Sequence, residues 1–384
     1  MRSPIIRVGM AIATASVAML PLAASAQFSG TNGQIYFQYT NSDMTRDIAA
    51  ANSDGSQGHT IAIAGTAYLS DPTISPDGTK LAYIKETNVG SSWSDDLVLA
   101  NADGTSPIVI TTIAGPSMIN GPKFSSDNAS IFFNRLNTNS TSDGIYKVTA
   151  AVSSTPSQLI MDVVSPLTQH HGVVVTATKL YYIKATNSGS SVYEIDSANI
   201  DGTNQATLYT QTDPSKYIDF LEVSPDGSKL IFGGSLGKLY VVNAADGTGF
   251  AILVDPGTSS IESASFSPDG TKLLYNSYHY SGANQIQDGA KIVAAVGTGT
   301  PVAFRTNVAR VMWSSVANVA SGTVTNPLVD SAVTSSSSRG GAGADPAALP
   351  AAGHTSSKAP IALAIVATLA VIGIEAGRRV RVRR

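Results

Sequence analysis

Ser267-Pro268-Asp269-Gly270-Thr271-Lys272-Leu273-Leu274-Tyr275 constrains this chain more than any other stretch, because it recurs. Ser75 to Tyr83 and Ser224 to Phe232 are close copies, and Ser125 to Phe133 is a looser one. Thr176 to Tyr182 lacks the Pro-Asp-Gly, and Trp313-Ser314-Ser315 retains only the approach to it. Proline presets φ for a turn, aspartate offers a local hydrogen bond, and glycine supplies a left-handed residue, so each copy predicts strand, tight turn, strand. The residue before the turn is apolar each time, namely Ile74, Phe124, Val175, Val223, Phe266 and Trp313. That is the mark of a buried strand end.

The aligned Ser or Thr positions are 50 residues apart from Ser75 to Ser125, then 51 to Thr176, 48 to Ser224, 43 to Ser267 and 47 to Ser314. A period near fifty with several strands per unit predicts propeller blades and not a helical solenoid. Gly33 to Tyr39 looks like the second strand of a blade whose first strand is missing, and Val308 to Trp313 looks like a first strand with no blade after it. Pairing the two would close the ring and leave no open sheet edge. The expected fold class is therefore all-β, a six-bladed β-propeller closed by a C-terminal strand.

Ser-Pro-Asp-Gly before an apolar strand, followed by a strand ending in Asn-Ala-Asp-Gly as at Asn101 to Gly104, resembles the TolB-like or WD40-like (PD40) propeller repeat. The resemblance covers Gln34 to Ser314. It implies six blades with a closing strand, and a surface or central channel presented to another protein or a small ligand.

The ends carry separate signals. Arg2 and Arg7, an apolar run from Val8 to Ala23 and Ala24-Ser25-Ala26 predict a secretory signal peptide over 1–26. The propeller is expected over 27–326, and a Ser/Gly/Ala/Pro-rich stalk over 327–358. Residues 359–377 are long and apolar enough for one transmembrane helix, and the basic tail 378–384 places that end in the cytoplasm. Leu349-Pro350-Ala351-Ala352-Gly353 just upstream resembles the LPXTG-type cell-wall sorting signal. The resemblance implies cleavage between Ala352 and Gly353 by a sortase-type transpeptidase, although Ala352 stands where that family usually has threonine. A plain membrane anchor is the alternative. The expected location is the cell surface, attached to cell wall or plasma membrane by the C-terminus.

The chain has no cysteine, so a hydrophobic core and not disulfides must hold it together. It has 24 basic and 27 acidic residues; without Arg2, Arg7, Glu375 and the five tail arginines, 17 basic residues face 26 acidic ones, a net of −9. Nucleic acid is not an expected partner, since phosphate binding needs a basic face.

Gly233-Gly234-Ser235-Leu236-Gly237 matches the G-x-S-x-G nucleophile elbow, which requires a strand before and a helix after. A strand pattern follows instead, so the match is expected to be a hairpin turn. The Asp-Gly pairs at Asp54, Asp77, Asp103, Asp143, Asp201, Asp226, Asp246, Asp269 and Asp288 lack the calcium-loop pattern and are expected to be turns. Tyr278-His279-Tyr280 is expected in a loop past a strand end, where it could contact a glycan or partner.

Inner propeller strands line the channel, and their first residues stand at its mouth. Asp71, Asn120, His171, Asp219, Glu262 and Arg310 occupy that place in successive blades, as candidate ligand-binding residues. If His171, Asp219 and Glu262 converge, they would suit a divalent cation or a cationic ligand group, with Arg310 opposite for an anionic end. No resident cofactor is otherwise expected. Two function classes remain open: a surface-anchored module binding a protein or extracellular ligand, or an extracellular metal-assisted hydrolase or lyase working at the channel mouth.

Overall fold

The computed structural model describes residues 30–320 and 327–328, apart from short stretches at 42, 44, 90–91, 116, 138–142, 165–166, 188–190, 214, 236 and 283. The expected signal peptide, sorting motif, membrane span and basic tail lie outside the described residues. Among those described, no helix is long and apolar enough to cross a membrane.

Among the described residues every regular element is a strand. The first run is β1 (Ile35–Thr40), β2 (Arg46–Ala51) and β3 (His59–Ala62), followed by β4 (Tyr68–Ile74), β5 (Lys80–Val89), β6 (Ser92–Asn101) and β7 (Ile108–Ala114). Next come β8 (Ser117–Phe124), β9 (Ser130–Asn137), β10 (Gly144–Thr149) and β11 (Ser157–Met161), then β12 (Val163–Val164), β13 (Leu167–Val175), β14 (Lys179–Asn187), β15 (Ser191–Asn199) and β16 (Ala206–Thr210). The chain continues through β17 (Ile218–Val223), β18 (Lys229–Gly234), β19 (Leu239–Asn243) and β20 (Ala251–Val254). It finishes with β21 (Ser260–Phe266), β22 (Lys272–Ser281), β23 (Asn284–Ala294), β24 (Val302–Arg305) and β25 (Val308–Trp313).

Hydrogen bonding divides these strands into five sheets, where six separate blades were expected. The largest has eight strands and holds two runs, β25-β1-β2-β3 and β4-β5-β6-β7, joined by a single parallel pair, Arg46 with Tyr68. The innermost strands β4, β8, β13, β17, β21 and β25 neighbour one another in that order, and β25 returns to β4, so they form a closed ring.

The repeated sequence is a repeated hydrogen-bond device. In the copies at Ser75, Ser224 and Ser267 the hydroxyl donates to the aspartate two residues on, at 2.6 Å each. The same hydroxyl accepts the amide of the lysine five residues on, at 2.9 Å each. The glycine adopts φ of 72°, 70° and 71°, the left-handed region a side chain disfavours. In the looser copy Asn128 takes that place at φ 62°, which asparagine tolerates best among residues with a side chain. Lys80 then reaches Asn101 Oδ1 at 2.8 Å and Lys179 reaches Asn199 at 3.1 Å, tying this turn to the Asn-x-Asp-Gly turn of the same sheet.

Ile74, Phe124, Val175, Val223 and Trp313 are buried as expected, while Phe266 is half-buried. Apolar residues alternate along the strands and meet those of the neighbouring sheet, so the core lies between neighbours and not at one centre. One cluster joins Val174 and Tyr181 to Leu221 and Phe232; another joins Phe37 and Ala49 to Leu274, Phe304 and Trp313.

β25 pairs antiparallel with β1, Ile35 opposite Trp313 and Tyr39 opposite Val308, which is the expected closure. Gly33 N and Ser314 N extend it by donating to Ser314 O and Gln34 O at 3.0 Å. Pro327 bridges to His59, and Leu328 N donates to Gly58 O at 2.8 Å.

Candidate ligand site at the channel mouth

Each innermost strand is irregular at the same height. The ladder slips by one residue between Ser70 and Thr73, Asn120 and Lys123, His171 and Val174, Ile218 and Phe220, and Ile261 and Ser263. In β25 the slip lies opposite Tyr36 and Gln38. A bulge bends the strand and re-aims the side chains beside it, here around the channel mouth. Gly121 and Gly172 take the left-handed conformation this demands, at φ 56° and 61°. Asp71 and Arg310 do the same at 50° each, without glycine's freedom. A side chain held in that region costs about 1 kcal/mol or more, which a mutual contact helps to offset. Arg310 Nε lies 3.3 Å from Asp71 Oδ1, and Asp71 Oδ2 accepts the amide of Gly121 at 3.3 Å.

All six residues expected at the mouth are half-buried. Asn120 takes its place in β8 opposite Asn134. Glu262 Oε2 accepts from Asn276 Nδ2 at 2.7 Å and Gln287 Nε2 at 3.2 Å. Asp219 is crowded by neighbours, and that desolvation, outweighing the nearby Arg310 charge and reinforced by Glu262, pushes its carboxyl up to about 7. Arg310 is held above its usual range by Asp71 first, then by Glu262 and Asp219. Three carboxyls thus act on one guanidinium, and Asp71 touches it.

His171 departs from this group. Its Nε2 donates to the Ile218 carbonyl at 3.1 Å, and burial lowers its pKa. Among the described residues no group of three or more His, Asp or Glu side chains could hold a metal ion. The expected convergence of His171, Asp219 and Glu262 is therefore not formed, because the imidazole is turned to the backbone of β17. Arg310 is engaged by Asp71 through its Nε.

Tyr278-His279-Tyr280 lies inside β22 and not in a loop. Tyr278 pairs with Gln287, His279 with Ile286 and Tyr280 with Gln285, in a hairpin that runs on past the mouth. His279 Nδ1 lies 2.6 Å from Asp288 Oδ1, and Tyr278 packs edge-on against Tyr280 at 5.7 Å. Tyr278 also stands opposite Ser260, two residues before Glu262. Tyr217, which the sequence reading did not single out, lies two residues before Asp219, with its ring 6.3 Å from that of Tyr193. Period-2 alternation from Asp219 was the signal that could have found it.

The opposite end of the channel holds a depression of roughly 590 Å³, open to solvent. Ile74, Phe124, Phe266, Met312 and Trp313 line it, with Lys123 and Glu222 paired across it at 2.6 Å. Ser235 confirms the hairpin reading of the G-x-S-x-G match: β18 runs into β19, and its hydroxyl accepts the amide of Tyr217 at 2.8 Å.

A ring of inner strands around a channel, with sheets extending outward and packed face to face, is the plan of a propeller. The fold is a β-propeller. No family model and no curated relative matches the chain. Among solved structures it is similar to a chain of a nidogen/laminin complex, 12% identical, over 74% of this chain and 100% of the other, with a TM-score of 0.52. It is also similar to a putative TolB from Agrobacterium tumefaciens (18% identical, 70% of this chain and 88% of the other, TM-score 0.49). A third likeness is to an oligogalacturonate lyase in complex with manganese (15%, 67% and 73%, TM-score 0.49). At such identities the likeness concerns the fold and nothing finer.

Proposed function

We propose that this propeller is an exported binding module, six-bladed and TolB-like, which takes an extracellular protein or ligand on the face where its innermost strands begin. The observation that supports the reading is that the ladder slips at one height beside Asp71, Asp219, Glu262 and Arg310, next to a hairpin bearing exposed Tyr280. Loops and hairpin tips on a rigid ring are where propellers of this plan can vary recognition without disturbing packing. The sequence of the two ends supports export and attachment at the cell surface, by membrane helix or by sorting at Leu349, Pro350, Ala352 and Gly353. The enzyme alternative drew on His171, Asp219 and Glu262 as metal ligands, and His171 is committed to Ile218.

Replacing residues 280–285 by Asn-Gly shortens the hairpin without touching the mouth carboxyls. The full chain so altered is expected to lose binding to native envelope material while melting within about 3 °C of the parent. Unchanged binding would overturn the reading.

A further inference from the structure

Asp219, Glu262 and Tyr278 occupy neighbouring strands at one height, and their partners are unevenly distributed. Glu262 is held by two amide side chains, and Arg310 is paired with Asp71. Among the described residues the Asp219 carboxyl has neither a hydrogen-bond donor nor an ion-pair partner within contact distance, although its surroundings desolvate it. The groups that act on it are Arg310 from β25, Glu262 from β21, Tyr193 from β15, Tyr217 beside it and Tyr278 from β22, while His171 is bonded to the carbonyl of the preceding Ile218. A carboxylate left without a donor in a crowded setting is costly, and the local charge is negative by two once Asp219 ionises.

The walls are aromatic. Tyr193 and Tyr217 form one tilted pair at 6.3 Å, and Tyr278 and Tyr280 form an edge-on pair at 5.7 Å. The charge of Asp219 acts on the phenols of Tyr193, Tyr217 and Tyr278, so their hydroxyl ends lie within electrostatic reach of the carboxyl. A hard metal ion would want several oxygens at once, and no such group forms among the described residues. An organic ammonium is satisfied by one or two carboxylates with aromatic rings close by.

We propose that the mouth holds a small-molecule organic ammonium group, its charge against Asp219 and Glu262 and its carbon substituents against Tyr217 and Tyr278. This rests on the mouth being the binding face. The same chemistry would accept a quaternary or a primary amine; the aromatic walls favour the larger, weakly hydrated quaternary head.

Calorimetric titration of the purified full chain at pH 8 with choline, butylammonium and 3,3-dimethylbutan-1-ol tests this, the alcohol being choline's uncharged isostere. Choline is expected to bind at least about ten-fold more tightly than the alcohol. Asp219→Asn and, separately, Tyr217→Leu are each expected to weaken choline by about ten-fold or more. Glu262→Gln, which keeps an oxygen for Asn276, is expected to weaken it less. Tighter binding of butylammonium than of choline would remove the aromatic part of the site. Equal binding of the alcohol, no binding of either amine up to about 10 mM, or an unaffected Asp219→Asn would overturn the proposal. If these fail while the shortened hairpin still abolishes envelope binding, the binding face stands and the ammonium site does not.

Discussion

Asp95 on β6 shows how one carboxyl links two neighbouring sheets. Its Oδ2 accepts the amide of Ile119 on β8 at 2.8 Å, while Oδ1 is buried with no partner. Burial, partly countered by that amide and reinforced by Glu86, Asp71 and Asp96, pushes the group up to about 7. The folded state therefore keeps a proton between roughly pH 4 and pH 7 that the unfolded chain has released, and stability falls as pH rises through that window. Asp95→Asn removes the charge and retains an acceptor for Ile119. It is expected to raise stability by roughly 2 kcal/mol at pH 8 and to change it little at pH 4, measured as the difference in melting temperature. A variant that destabilises equally at both pH values would show that shape, and not charge, governs the site. Single residues were also where sequence reading was least secure. Seven of the nine Asp-Gly aspartates sit at turns, whereas Asp143 is a buried partner of Arg135 at 2.9 Å and Asp288 lies within β23 holding His279. The dipeptide is the same in each case; what differs is whether the sheet extends past it, and that is decided by the strand opposite.

At the scale of elements, turns were legible because their chemistry is local. Ser, Asp and Gly satisfy one another within five residues, so the sequence alone specifies the reversal. The long β22/β23 hairpin was not legible, since its residues are polar and its extension depends on cross-strand pairing. The bulges were only partly so: Gly121 and Gly172 hint at them, but Asp71 and Arg310 reach the same backbone without glycine. β25 was readable because a strand with no partner was needed at each end. Trp313 is its anchor, 4% exposed, with Nε1 donating to Gly33 O at 3.2 Å and its ring in the cluster that joins β1 to β22. Trp313→Ala is expected to cost about 3–5 kcal/mol in denaturant unfolding, through the cavity and the lost hydrogen bond. A loss below about 1 kcal/mol would mean that β25 does not hold the ring closed.

Across the whole molecule, the arrangement separates holding from binding. The Ser-Pro-Asp-Gly turns gather at one end of the channel, where Lys123 and Glu222 close on each other and apolar side chains line the wall. At the other end the inner strands bulge, carboxyls outnumber arginine, and the β22/β23 hairpin stands beside them. The sequence period made the ring legible, because each unit needs a neighbour to cover its apolar face. It could not show that His171 turns to the backbone of β17, since that depends on how adjacent sheets sit against each other. The lack of cysteine makes a direct test practical, because any thiol introduced is unique. Tyr280→Cys at the hairpin and Thr79→Cys at the opposite turn, each carrying a benzophenone on the full chain at its native surface, report which end meets a partner. A covalent adduct formed from position 280 and not from 79 is the result this account predicts. An adduct from position 79 and none from 280 would contradict it.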